Sequence, residues 1–496
     1  MNQDTGNGHL EEALMTLNYR LAQRALNTAL GNEAKGQSYG LYEGFHELLE
    51  PGTVKSIRKN GLRSRQEKRL FHTHLGHCLQ HGALLYENEL SMWMQGAAAE
   101  VEGEKIYLRD VHNWCQKRSD LRRRRIMEKE TSSLSKFLKP FALSCWEYVL
   151  ELLEGEFEYE DYVAYCGEKK GLDYSAHLSS TREFLTSTDD LYFPAMEEWV
   201  KKSLGISLSE ANRFDAIYLV GLGELDDLYP SHIPLEEHLR FFNHWQMDIA
   251  QLSAIHLHSA ASRKKSSQGI TFALRIPLEV HVVLNPQGGW IDLETLFHEM
   301  GHALSAIYTS PLLSPAEKDF NTSSTLSETF AFLIQNMCFS PVFLERQLGL
   351  KPKEIETISR YKALKDMAFL RRYGAKFVAE YSMYKEKTIG DGGVYASVLK
   401  KHTGFSYKPE TQLFDLAPEL YSLDYLMAWM AEASVEKVLV RSLGEEWMFK
   451  PETGEILREW WRGGNRDELD EFLSAIGAAS LNSADILNRW SVMMNP

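Results

Sequence analysis

The sequence predicts a mainly α protein with a small β-sheet set beside one of its helices. Three observations lead there: helical hydrophobic period runs through most of the 496 residues, β signals are few and short, and one apolar helix near residue 300 directly follows the strongest of them. The composition, 44 % hydrophobic and 25 % charged, is that of a globular chain without low-complexity tracts or internal repeats.

Taken in order, Leu10, Leu14, Leu17 and Leu21 share one helical face, and Gly31 stands where a C-terminal cap belongs. Val101 and Ile106–Leu108, separated by Glu102-Gly103-Glu104, predict a small hairpin. A second helix is expected from Pro234, with Leu235, Leu239, Phe242, Trp245 and Ile249 at core spacing. Leu278–Leu284 is β-branched and apolar and is closed by Asn285-Pro286-Gln287-Gly288-Gly289, which predicts a strand and a turn. A division near residue 200 is expected, with 1–200 helical and 201–496 carrying the chemistry. Lys201 to Leu208 serves as the connection, although no Pro/Gly/Ser linker marks it.

Acidic residues outnumber Lys and Arg, 69 to 54, for a formal charge of −15. That field disfavours nucleic acid and anionic membrane as partners. Residues 1–8 lack the basic and apolar regions of a signal peptide, and no apolar run approaches the roughly 18 residues of a spanning helix. The five cysteines are odd in number, far apart and free of C-x-x-C, as expected of reduced thiols in a cytoplasmic protein.

The chemistry concentrates in Trp290–Ser310, WIDLETLFHEMGHALSAIYTS. Asp292 suits the N-cap of a helix, and Leu293, Leu296, Phe297, Met300, Leu304 and Ile307 form one apolar face. His298 and His302, four apart, project from one side. Glu299 follows the first, where its carboxylate reaches a water on a metal without being a ligand. A His-acid-x-x-His pattern arises by chance in roughly 0.08 of chains of this composition, so context has to carry it.

A catalytic zinc takes three protein ligands and keeps one position open. Six residues after His302 stands Tyr308, not a third histidine, and no acid lies near Thr322. The next helical segment, Asn321–Cys338, carries Glu328 one turn in, with Leu326, Phe330, Leu333 and Met337 as its apolar face. Glu328 is either the capping-box partner of Thr325 or the third ligand, delivered by a helix packed beside the first.

This ordered set resembles the thimet oligopeptidase and oligoendopeptidase F family of zinc peptidases. The resemblance rests on the basic loop Arg263–Gly269, on His281–Asn285 as an active-site edge strand, on Gly288-Gly289, on HEMGHA, and on SSTLSE with Glu328 as third ligand. It is clear over Ala254–Ser310, extends through Gln335 and weakens beyond. It implies a two-lobed helical fold with a deep central channel, one Zn2+ per chain, and short peptide substrates, with no oligomeric state implied. The tail Trp460-Trp461-Arg462-Gly463-Gly464 through Gly477 suits a related group of zinc carboxypeptidases equally, so endo- and exopeptidase action both stand.

The family usually supplies a late histidine and one or two tyrosines to the oxyanion. Tyr425, first, and Tyr421 fit that role here, but no histidine follows His402, and Phe414-Asp415-Leu416 fills its place. A catalytically weak, peptidase-like binding protein is therefore one competing reading, and hydrolysis of a non-peptide amide is another. On the main reading the 281–285 strand pairs with the substrate backbone.

Other features are expected to be structural. His72, His74 and His77 lack an acid partner and do not share one face, and His256 and His258 are read as lying on opposite sides of a helix. Arg122–Arg125 is expected to be an ion-paired helix face, and Gly221-Leu222-Gly223 lacks the third glycine of a dinucleotide loop. Lys264, Lys265, Arg371 and Arg372 are possible holders of a peptide carboxylate, with ordinary solvation the stronger expectation.

Overall fold

The computed structural model describes residues 3–32, 39–59 and 62–494. The fold is mainly α with two small sheets. The helices that frame the site are α1 (Gln3–Leu30), α2 (Arg65–Gly96), α3 (Val111–Gln116), α4 (Leu121–Glu151), α5 (Tyr162–Lys170), α6 (Trp290–Ile307), α7 (Thr325–Met337), α8 (Pro352–Lys385) and α9 (Tyr421–Leu443).

The leucine stripe does build α1, and the helix ends at Gly31, whose φ of 76° is the left-handed value that favours glycine there. The hairpin forms as β1 (Ala98–Val101) and β2 (Glu104–Tyr107), with Val101 opposite Glu104. Its two turn residues, Glu102 and Gly103, both have positive φ, as a two-residue primed turn requires. Arg122 and Arg123 of α4 pair with Glu102 and Glu104, and Arg124 and Arg125 with the buried Asp215, so the arginine run is the ion-paired face its sequence predicts.

The second sheet contains β3 (Ile255–His258), β4 (Ile270–Arg275) and β5 (Glu279–Val283) in the order β3-β5-β4. Strand β5 runs parallel to β3 and antiparallel to β4. It is therefore the central strand, with both hydrogen-bonding edges used, and substrate pairing along 281–285 is not available. The edge strands are β3 and β4, and β4 is the one that carries Thr271 beside Glu299. The sheet also corrects the reading of His256 and His258. They lie two apart on a strand, hence on one face, and both rings stack on His281. A four-residue IHLH segment does not reveal its period, and pairing with β5 decides it.

The segment after Pro234 is a 3-10 helix, Leu235–Trp245, and Ile249 begins a separate short turn. Leu239, Phe242 and Trp245, all buried, are spaced by three, so the tighter helix lines them along one ridge. The helix Asp189–Leu204 ends on Gly205, and a single buried cluster includes side chains from Val54 to Trp490.

Three of the four cations considered as carboxylate holders are committed elsewhere. Lys265 is buried and donates to the carbonyls of His258, Ala260 and Leu284, tying the 259–269 loop to the sheet. Arg371 donates to the carbonyls of Leu185 and His402 and pairs with Asp189, while Arg372 pairs with Asp415. All five cysteines are unpaired, and no helix among the described residues is long and apolar enough to cross a membrane.

His72, His74 and His77 are buried in α2. His74 Nε2 meets the Leu48 carbonyl and His77 Nε2 meets Asn18, but neither ring nitrogen of His72 makes a hydrogen bond, the Glu168 carboxylate standing 3.6 Å from Nε2. Burial, reinforced by Lys169 and Arg58, lowers the His72 pKa to about 3. The unfolded chain takes up this proton near pH 6.5 and the folded chain does not, so this histidine costs stability as pH falls below 6.5. Relative to His72→Leu, the wild-type protein is expected to lose up to about 1.4 kcal/mol per pH unit between about pH 6.5 and 5. Urea unfolding of both proteins at about pH 7.5 and pH 5 checks this, and a pH-independent difference contradicts it.

Candidate metal centre

Helix α6 starts one turn earlier than its sequence suggests. Gly288 and Gly289 have φ of 89° and 88°, and a Cβ on Gly289 would lie 2.0 Å from an Asp226 carboxylate oxygen. That carboxylate accepts the Trp290 N–H, so the helix begins at Trp290 with Gly289 as its N-cap. Asp292 is then the third helical residue. Its carboxylate turns back to accept the Gln287 and Gly288 N–H groups, closing the preceding turn. Leu293, Leu296, Phe297, Met300 and Leu304 are fully buried, which leaves His298 and His302 on the remaining face.

Helix α7 meets that face at Gly301, between the two histidines. A Cβ there would lie 2.6 Å from the Ala331 Cα and 3.0 Å from the Phe330 carbonyl, so only glycine permits this approach. The consequence is that Glu328 Oε2 lies 3.5 Å from His298 Nε2 and 3.6 Å from His302 Nε2. Two zinc ligands at ordinary bond lengths in a tetrahedron stand about 3.4 Å apart. No capping box forms with Thr325, because the N-cap of α7 is Ser324 and the Thr325 hydroxyl donates to Asp424.

The chemistry of these donors fits a divalent cation such as zinc. Glu328 Oε2 is buried without a hydrogen-bond partner, while Oε1 accepts the Tyr421 hydroxyl. A buried carboxylate oxygen left unpaired is costly, and a cation among the three donors satisfies it. Among the described residues this is the only group of three or more His, Cys, Asp or Glu side chains close enough to share an ion. Burial holds both imidazoles near pKa 4, which keeps them neutral as ligands must be, and His302 Nδ1 lies 2.9 Å from the Ser327 hydroxyl, fixing the ring with Nε2 toward the site.

Glu299 follows His298 and does not join the donor set. Its Oε2 accepts the Thr271 hydroxyl at 2.7 Å, which anchors it to the edge strand β4. Burial, opposed by that bond and assisted by Glu328, raises its pKa to about 7. Behind His298, the buried Glu294 is paired with Lys365 and Lys362 and accepts from Gln335.

The tyrosines divide. Tyr421 is committed to Glu328 and therefore orients the carboxylate. Tyr425 packs edge-on to Phe332 and against Tyr373, and it lines two cavities that both reach His298 and Glu299. One cavity, about 500 Å³, runs past His302, Tyr421 and β4. The other, about 270 Å³, runs past Glu299, Gln268 and His112, and shares His112, Phe369 and Tyr373 with a space of about 1730 Å³ bounded by helices from both halves of the chain.

The sequence reading missed Gly301, Thr271 and Ser327. Gly301 carries a signal, because a glycine between two ligands on a helix marks a close neighbour. Thr271 and Ser327 carry none, since their roles depend on which strand and which turn face the site. No protein-family model and no curated protein matches the chain.

Gly301→Ala is expected to push α7 off α6, costing about 1–3 kcal/mol of stability and lowering metal affinity with every ligand still present. Glu328→Gln is expected to lose the metal with little change in helix content. Metal analysis together with thermal melting separates the two, and a Gly301→Ala protein that holds metal as tightly as wild type contradicts the packing argument.

Proposed function

We propose that the chain is a zinc-dependent peptidase that hydrolyses short peptides, of the thimet oligopeptidase and oligoendopeptidase F type. The observation that carries this reading is the buried, unpartnered Glu328 oxygen converging with two imidazole nitrogens, with a second carboxylate, Glu299, beside them and outside the donor set. His298, His302 and Glu328 hold the metal in this reading. Bound there, zinc supplies Lewis acidity toward a carbonyl and lowers the pKa of a water.

Glu299 takes the proton of the attacking water and passes it to the leaving amine. A pKa raised by burial brings a carboxylate into the range where it both accepts and returns a proton near neutral pH. The Tyr425 hydroxyl donates to the oxygen on which charge develops. Tyr421 keeps Glu328 in place and adds no donor of its own to the reaction. The free edge of β4 offers the substrate backbone its hydrogen bonds, with Thr271 linking that edge to Glu299.

Two cavities that both reach His298 and Glu299 favour cleavage inside a peptide over trimming of its end, because each can take residues from one side of the bond. The five unpaired thiols and the acidic charge accord with a cytoplasmic enzyme.

The test is digestion of a mixed library of short peptides read by mass spectrometry. Internal cleavage that disappears on chelation and returns with zinc is the expected result. Glu299→Gln should keep its metal and lose about 10²–10⁴ in kcat. Tyr425→Phe should lose about 10²–10³ in kcat with KM little moved. Full turnover by either variant removes the role given to that residue, and stoichiometric zinc with no cleavage by wild type removes the reading itself.

A further inference from the structure

Helix α3 belongs to the first 200 residues, yet it is fastened at both ends to segments that flank the candidate metal centre. Asn113 donates to the Ser267 carbonyl at 2.6 Å, and Ser267 returns a bond to the Arg109 carbonyl at 2.8 Å. Two residues beyond Ser267, Gly269 lies so close to the site that a Cβ there would sit 3.2 Å from Glu299 Cγ. At the other end, Lys117 donates to the Gly288 carbonyl at 2.8 Å and pairs with Asp226, the residue that caps α6. The helix is thereby fixed against both the loop that leads into the strand carrying Thr271 and the turn that precedes the histidine helix.

Val111, Cys115 and Gln116 bury one face of α3. His112 lies between Cys115 and Gln116 around the helix but is exposed, and its side chain lines the 270 Å³ cavity that also holds His298, Glu299 and Tyr425. Its ring makes no hydrogen bond among the described residues, so packing gives it no task. Crowding by the cavity walls, together with Arg213, Arg372 and Lys365 against the single acid Asp415, holds its pKa down to about 4. At neutral pH the ring is uncharged, with one nitrogen to donate and one to accept.

We infer that His112 is a substrate-binding residue that hydrogen-bonds the peptide backbone on the cavity side of the metal centre, supplied by the first half of the chain. This rests on the peptidase reading and adds to it the imidazole that the late part of the sequence lacks. The ligand class is a peptide main chain, since a neutral ring with one donor and one acceptor matches an amide and offers no charge to a carboxylate. The bond forms with substrate in the ground state, so its loss appears in binding as well as in turnover.

The experiment measures peptide affinity in the Glu299→Gln background, where cleavage is suppressed, and kcat/KM in the wild-type background. His112→Ala is expected to weaken binding and kcat/KM by about 10-fold each, with zinc content and melting temperature unchanged, and His112→Gln to restore most of both. Equal affinity and kcat/KM in His112→Ala and its parent overturn the inference and leave the peptidase reading standing. A wild-type protein that neither binds nor cleaves peptides overturns both. A His112→Ala protein that loses zinc or melts early overturns the inference in favour of a structural role.

Discussion

The centre depends on one approach, that of α7 to α6 at Gly301. Because this position has no side chain, the backbone at Ala331 comes within contact distance, and Glu328 is carried to a near-equal distance from the two histidine nitrogens, closing a triangle of donors within 4.8 Å of one another. A shift of about 1 Å there would separate the donors, and neither helix can compensate along its own axis. The cost of the arrangement is a glycine inside a helix, about 1 kcal/mol relative to alanine, offset by the buried apolar faces that the two helices share.

Buried charges hold that approach in register. On one side Glu294 of α6 is gripped by Lys365 and Lys362 of α8. On the other, Asp424 of α9 accepts from Ser323 and Thr325 at the start of α7 and is paired with Lys170 of α5. Buried pairs add little net stability over apolar packing, but removing one partner is costly, so each pair fixes which helix faces which. Tyr421, one turn before Tyr425 on α9, extends the same logic to Glu328 by holding one of its oxygens and leaving the other without a hydrogen bond.

Features legible in the sequence are local ones. His298, Glu299 and His302 lie within about one and a half turns of a helix whose apolar face is plain, and Glu328 stands out because it is the one acid early in the next apolar helix. The leucines of α1 and the turn at Glu102-Gly103 are legible for the same reason. Where partners are distant the sequence is silent or misleading. The order β3-β5-β4 makes β5 central, which a strand's own composition cannot reveal. The histidines of β3 look helical until β5 pairs with them, and the commitment of Tyr421 to a carboxylate 93 residues away follows only from helix packing. The spacing of Leu239, Phe242 and Trp245 fits either helix type, and tertiary packing selects the 3-10 form.

The most direct measurement is the metal content of the full chain, purified without added metal, with X-ray absorption at the zinc edge to give the donor set. The account predicts one zinc per chain held by two imidazoles and one carboxylate, at about 2.0–2.1 Å for the nitrogens. A protein that takes up no stoichiometric metal, or one whose zinc is bound by thiolates, contradicts the central claim.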